Sequence, residues 1–546
     1  MAHVSEYWNG SSNFLNWTPF LDRGFCAARI RDARRHPVFI LFAGALLIYP
    51  ALPARGQFPA RIGAFEDIFV SPDRSAVVIE NPQIELNAQS RAIIVWSQAD
   101  LLEGGRISHD SDLYVRRSAD AGVTWSPAKT LNGDALSDDH RDEFVALASD
   151  GKGTLIAVWT VGTKFGTTFA HRKGFARSDD WGETWSMPSL IEPSEGQREP
   201  SDPNEGAVAT SGSGVWIAAW IRMSINRPAH DFPGSFDMPT YDFDFVYSRS
   251  VDDGMTWSPV VPIYTLAENT RNLNWSGELA IDESGTWLAL WTSMDGLASA
   301  GGSGHHVVVA TSNNDGADWT EPRPIDPVAR GDSAPRIASD GHGNLLATWS
   351  TYSDWGKTLG TDPDVMASLS TERGATWRVP TALNTNAVVD DWRDYNGDLA
   401  TDGKGNWVAV WESNNTPQGT LGGDFDIYIS HSGDKGTTWT APTALNGDAL
   451  SDTRDDVSPR IATNGKGDWI VIWIAGMQSD AIDRSFHDSI KMARFSLPDE
   501  CANPSLECLL SPTCGASCAS GMGTTTLSIL SLCIFFRSRW VIRAKA

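Results

Sequence analysis

From about residue 76 to residue 496 the chain alternates apolar and polar positions in short runs broken by glycine turns. A period of two marks extended strands, and no stretch of this region keeps a helical period. Ile337-Ala338-Ser339-Asp340-Gly341-His342-Gly343, running on to Trp349, shows the unit: a strand, a glycine turn, and a second strand ending in tryptophan. Trp96, Trp159, Trp220, Trp291, Trp349, Trp411 and Trp473 hold the same place, 58 to 71 residues apart. A third strand follows each, such as Asp426-Ile427-Tyr428-Ile429-Ser430, and then a short fourth.

Between third and fourth strands the pattern Ser-x-Asp-x-Gly-x-Thr-Trp recurs at 118–125, 178–185, 250–257, 312–319, 370–377 and 432–439. Its third position holds Asp120, Asp180, Asp252, Asn314, Glu372 and Asp434, and Asp318 replaces the threonine in the fourth copy. The chemistry suits a tight turn. The carboxylate accepts from backbone N–H groups further on, glycine takes a positive φ, threonine restarts a strand and tryptophan buries its ring.

Four antiparallel strands repeated at about sixty residues predict an all-β fold, a β-propeller of four-stranded blades. Seven units carry the first three strands, but only six carry the turn and the fourth. The last unit stops at Lys491-Met492-Ala493-Arg494-Phe495, so the segment Ala64 to Val70 is expected to supply its fourth strand. Such an N-terminal strand closes the ring and removes the exposed sheet edges. Seven blades are expected, with six blades and a flanking sheet as the alternative.

The six turns resemble the Asp-box, or BNR, repeats of sialidases and related propellers, over about 420 residues. In that family the turn is a structural signature away from substrate, and non-enzymatic propellers carry it too. The resemblance implies an exo-α-sialidase type of glycoside hydrolase as one reading. Such an enzyme needs arginines to clamp a carboxylate, a tyrosine nucleophile activated by a glutamate, and an acid. Three links between blades share Asp-x-Arg-Asp, and they supply Arg141, Arg393 and Arg454 as the clamp, Tyr395 as nucleophile and Asp139 as acid. The opposite reading makes them Arg–Asp pairs that tie neighbouring links together. The family's Phe/Tyr-Arg-Ile-Pro motif is missing: Ala60-Arg61-Ile62-Gly63, Pro335-Arg336-Ile337-Ala338 and Pro459-Arg460-Ile461-Ala462 all depart from it. A ligand-recognising propeller is therefore the expectation, for an extracellular glycan or glycoprotein. A structural surface protein that binds other proteins is the third reading.

Strand order puts the Ser-x-Asp turns and the glycine turns on one face, and the links and second-to-third-strand loops on the other. That second face carries the longer loops, including Arg222 to Tyr241, and is where a ligand is expected. Arg271 and Arg330 lie in its links, and Trp275, Trp355 and Trp392 are placed to stack on sugar rings or to pack between links. Carboxylates also recur in pairs before the third strand: Asp110 and Asp112, Asp242 and Asp244, Asp362 and Asp364, Asp424 and Asp426. Spaced by one residue on an extended chain, each pair points to one side, as oxygen ligands of Ca²⁺ or as caps of the loop rim. No cofactor is otherwise required.

The net charge of −25 argues against nucleic acid, whose phosphates need a basic face. Residues 1–54 read as a leader. Its basic cluster precedes the apolar run Val38 to Tyr49, as in a secretory signal or, alternatively, an uncleaved anchor. Residues 55–498 form the propeller and 499–526 a Cys-, Ser- and Gly-rich linker. There Cys501, Cys508, Cys514 and Cys518 are expected to pair in one of three connectivities, with zinc as the rival reading. In residues 527–546 an apolar run precedes Arg537, Arg539, Arg543 and Lys545, which predicts a membrane anchor. This tail resembles the C-terminal sorting signals of bacterial surface proteins. The expectation is an exported, membrane-tethered, monomeric propeller.

Overall fold

A computed structural model describes residues 61–497, apart from 63–64, 70–76, 103–105, 136, 139, 166–167, 193–205, 227–239, 266–272, 295–304, 327–330, 353–358, 361, 385–386, 388–391, 415–423, 450–452 and 478–487. The expected leader, linker and C-terminal anchor lie outside these residues.

The fold is all-β, a propeller-type array of antiparallel sheets. Two strands, β1 (Arg61–Ile62) and β2 (Glu66–Phe69), precede the repeats. Blade 1 holds β3 (Val77–Leu86), β4 (Ala92–Leu102), β5 (Arg106–Ser118) and β6 (Lys129–Thr130). Blade 2 holds β7 (Arg141–Ser149), β8 (Leu155–Phe165), β9 (Thr168–Ser178) and β10 (Ser189–Leu190). Blade 3 holds β11 (Gly206–Thr210), β12 (Trp216–Asn226), β13 (Thr240–Ser250) and β14 (Val261–Pro262). Blade 4 holds β15 (Asn274–Ile281), β16 (Trp287–Ser293), β17 (His306–Ser312) and β18 (Arg323–Pro324). Blade 5 holds β19 (Asp332–Ser339), β20 (Leu345–Thr351), β21 (Asp364–Ser370) and β22 (Thr381–Ala382). Blade 6 holds β23 (Asp394–Thr401), β24 (Trp407–Ser413), β25 (Asp426–Ser432) and β26 (Thr443–Ala444). The last sheet holds β27 (Asp455–Thr463), β28 (Asp468–Met477) and β29 (Ser489–Ser496).

Each sheet pairs its strands in chain order, and one parallel bridge, Ser111 to Arg141, joins blades 1 and 2. The last sheet is completed from the N-terminal side: β2 pairs with β29, with Glu66 opposite Met492. The strands β3, β7, β11, β15, β19, β23 and β27 also line a common cavity, contributing Ile84, Val145, Ala207, Glu278, Arg336, Asp398 and Ile461.

Three second strands, Trp287–Ser293, Leu345–Thr351 and Trp407–Ser413, are buried along their whole length. A neighbouring sheet covers each face, so these strands read as continuous apolar runs where a half-exposed strand would alternate. Four second strands carry two buried tryptophans four residues apart: Trp216 and Trp220, Trp287 and Trp291, Trp407 and Trp411, Trp469 and Trp473. The first and last sheets meet through Ile79, Ile94 and Trp96 against Ile470, Ile472 and Met492.

The Ser-x-Asp turns are held from within. Ser250 Oγ donates to Asp252 Oδ1 at 2.8 Å and accepts from Gly254 N at 2.9 Å. Asp252 then accepts from Thr256 N at 2.9 Å and Thr256 Oγ1 at 2.5 Å. These bonds hold the Asp252 carboxyl at about 2, below its usual range. Where Asn314 replaces the aspartate, its amide donates to Asp318, so the two departures compensate each other. Each turn also touches the sheet before it: Arg177 of blade 2 reaches the backbone and carboxylate of Asp253 in the blade 3 turn. A methyl group on Gly254 would overlap Ile156 of blade 2. The turn face is thus a belt of contacts between sheets.

Candidate functional site

The opposite face is built where links enter the first strands and where third strands begin. Six first strands carry a bulge just inside that entrance, closed by a residue at positive φ: Asn81, Phe144, Ser276, Ala334, Asn396 or Ser458. Bulges re-aim the side chains beside them. In β15 the bulge follows Trp275, and Asn274 fixes the entrance by donating to Phe243 O at 2.8 Å and accepting from Trp291 Nε1 at 3.0 Å.

Trp275 consequently lies in a row of rings drawn from two blades. Its ring stacks on His305, with centroids 4.7 Å apart and planes 17° from parallel, and on Phe243 at 6.4 Å and 21°. Burial pushes the His305 imidazole down and keeps it neutral. Tyr395 takes the equivalent place in β23 and forms a second row, 6.0 Å from Tyr352 and 5.9 Å from Phe425. Tyr352 is 59 % exposed, so this row opens to solvent.

Tyr395 also faces Glu412 across the β23–β24 register, a Tyr–Glu pairing that only the strand alignment reveals. The Glu412 carboxylate is engaged elsewhere, by Asn396 Nδ2 at 2.8 Å and Ser458 N at 2.9 Å. Burial, then the hydrogen bond with Tyr352, raises the Tyr395 hydroxyl above its ordinary range. A nucleophilic tyrosine requires the opposite shift.

The candidate arginines stand at the entrances of three different blades. Arg141 ion-pairs with Glu143 on its own strand, while Arg393 and Arg454 are exposed. Trp392 is half-buried beside Arg393. Asp139, Arg271, Arg330 and Trp355 lie outside the described residues.

The paired aspartates are drawn into a network that the strand pattern alone does not show. Asn384 Nδ2 donates to Asp364 Oδ1 at 2.6 Å and Asp394 Oδ2 at 2.7 Å, and Trp411 Nε1 donates to Asp394 Oδ1 at 2.9 Å. Asn132 bridges Asp112 of blade 1 and Asp142 of blade 2, and Asn446 bridges Asp426 of blade 6 and Asp456 of the last sheet. One amide thus supplies both protons to two buried carboxylates and fastens third strand to link. The signal is in the sequence: Leu131-Asn132-Gly133-Asp134-Ala135-Leu136-Ser137-Asp138 returns unchanged in type as Leu445-Asn446-Gly447-Asp448-Ala449-Leu450-Ser451-Asp452.

Carboxylate oxygens of Asp110, Asp112 and Asp138 lie within 4.8 Å of one another, beside a cavity of about 270 Å³ lined by Asp142, His140 and Arg172. Burial raises Asp112 to about 6, with neighbouring aspartates adding to the shift. Oxygen ligands in this arrangement suit a hard cation. The Asn132 amide, however, already engages Asp112. Asp362 and Asp424 stand at the matching places of blades 5 and 6, Asp362 buried and Asp424 half-buried.

Among the described residues no helix is long and apolar enough to cross a membrane. No family model and no curated relative matches the sequence. Solved structures do resemble it. A protein of unknown function from Dyadobacter fermentans is 13% identical, with a TM-score of 0.46 over 81% of this chain and 100% of that one. A Hadza microbial sialidase is 16% identical, at a TM-score of 0.40 over 78% and 67%. The intramolecular trans-sialidase from Ruminococcus gnavus is 13% identical, at 0.40 over 80% and 99%. At these identities the similarity to sialidases is one of fold.

Proposed function

We propose that this chain is an exported, membrane-tethered propeller whose seven blades close into a ring and whose link face recognises an extracellular glycan or glycoprotein. The observation that carries the reading is the pair of aromatic rows, Phe243–Trp275–His305 and Tyr352–Tyr395–Phe425, at equivalent entrances of blades 4 and 6. Pyranose rings present flat C–H faces that pack on aromatic rings, while their hydroxyls need a polar, wet surround. A face combining exposed Tyr352 and Arg393 with buried carboxylates offers both. Ring closure is supported by β2 completing the last sheet, by the contact of first and last sheets, and by the cavity common to seven first strands.

The competing exo-α-sialidase reading needs Tyr395 to ionise, and its raised pKa with Glu412 engaged elsewhere weighs against that. Incubating the protein with a fluorogenic sialoside separates the two readings. Binding without turnover is the expected result. Turnover that Tyr395→Phe abolishes would replace recognition by hydrolysis.

A further inference from the structure

The first strand of every sheet ends at a turn whose opening N–H bonds back across it: Asn87, Asp150, Ser211, Asp282, Asp340, Asp402 and Asn464. These turns align the seven strands residue by residue. Four positions before the turn stand Gln83, Ala146, Ala207, Glu278, Arg336, Asp398 and Arg460, all lining one cavity of about 130 Å³. The charges in this layer alternate from blade 4 onward and cancel. Glu278 and Arg336 pair at 3.6 Å, Arg460 and Asp398 both act on Glu278, and Asp398 also accepts from Ile461 N at 2.9 Å.

Two positions before the turn the pattern breaks. Ala148, Ala209, Ala280, Ala338, Ala400 and Ala462 fill six places, and Glu85 fills the seventh. Glu85 lines the same cavity and is half-buried, with its carboxylate on the cavity side of the alanine layer. No hydrogen bond or ion pair reaches its carboxylate among the described residues, and no charged group is close enough to act on it. Glu278, Arg336, Asp398 and Arg460 balance one another, so the Glu85 carboxylate leaves the lining of this cavity with one negative charge in excess. The wall also brings backbone: three successive residues line it from each of β3, β7 and β11. First strands lie at the inner edges of their sheets, and an edge presents unpaired carbonyl oxygens. The cavity has room for a small ion with part of its hydration shell.

We propose that this cavity binds one compact monovalent cation, an alkali-metal or ammonium ion, held by the Glu85 carboxylate and by backbone carbonyls of the innermost strands. The site is separate from the link face and does not depend on what that face recognises. The cation completes the charge balance of the cavity and clamps blade 1 to the other sheets.

Thermal unfolding of the full chain at fixed pH in sodium, potassium or ammonium chloride, against tetramethylammonium chloride at equal ionic strength, tests the site. One of the small cations should raise Tm saturably, by about 3 °C at a hundredfold excess over Kd. Glu85→Gln should lose this response, as should Glu85→Ala, which installs the residue of the other six strands. Equal responses in wild type and both variants would overturn the proposal. So would a Tm that follows pH but no cation, because a proton would then occupy Glu85.

Discussion

The belt of turns makes a quantitative prediction at Gly254. Its φ is +79°, a conformation that costs alanine about 1 kcal/mol. An added methyl would also overlap Ile156 Cδ1 of the preceding blade and sit 3.3 Å from Ile156 Cγ1, and Ile156 is fully buried with no room to retreat. Overpacking of this kind costs about 1–3 kcal/mol. Gly254→Ala should therefore lose about 2–4 kcal/mol, or about 2–4 °C in Tm at the usual unfolding entropy per residue. Gly151 supplies the control, with φ of +71° and open space where the methyl would stand. Gly151→Ala should cost about 1 kcal/mol, the conformational share alone. Ile156→Val removes the atom in the way, so combining it with Gly254→Ala should recover about 1–2 kcal/mol relative to the sum of the single variants. Differential scanning calorimetry of the four variants reads all of these. Equal losses at Gly254 and Gly151, or strict additivity with Ile156→Val, would show that the turn does not bear on its neighbour.

Other predictions address the buried carboxylates and the ring. Asn384→Leu keeps the branching of the side chain but removes the donor that Asp364 and Asp394 share, and should cost about 3–5 kcal/mol by calorimetry. Asp332 is raised to about 7, chiefly by burial, so its proton favours the folded state. Stability from this group is full below about 4 and is lost as pH rises towards 7. Three pKa units set an upper bound of about 4 kcal/mol, and Asp332→Asn should flatten that slope in a pH series of Tm. A class-averaged projection image should show seven spokes, and six would refute the seven-blade count.

Tryptophan spacing and the Ser-x-Asp turns made the sheets legible, because both are local and repeat in frame. The completing strand was legible too: a missing fourth strand at one end matches a spare segment at the other, and β2 runs from Glu66 to Phe69 within the expected 64–70 and pairs with β29. What the sequence hid is contact between repeats. Gly254 looks like an ordinary turn glycine until Ile156, nearly a hundred residues earlier, is placed against it. Asn132 and Asn384 were overlooked because an asparagine after a short fourth strand has no chemistry until two distant carboxylates flank it. The second aromatic row likewise assembles Tyr395 of β23 with Tyr352 and Phe425 from two separate loops. Trp275 stood out as a single residue, while its partners Phe243 and His305 did not.

The claim that the link face recognises glycans rests on those rows, and a glycan array with wild-type protein beside Trp275→Ala and Tyr352→Ala tests it most directly. Selective binding is expected, weakened about tenfold in at least one variant, as loss of an aromatic stacking contact predicts. An empty array, or binding that neither substitution changes, would contradict the account.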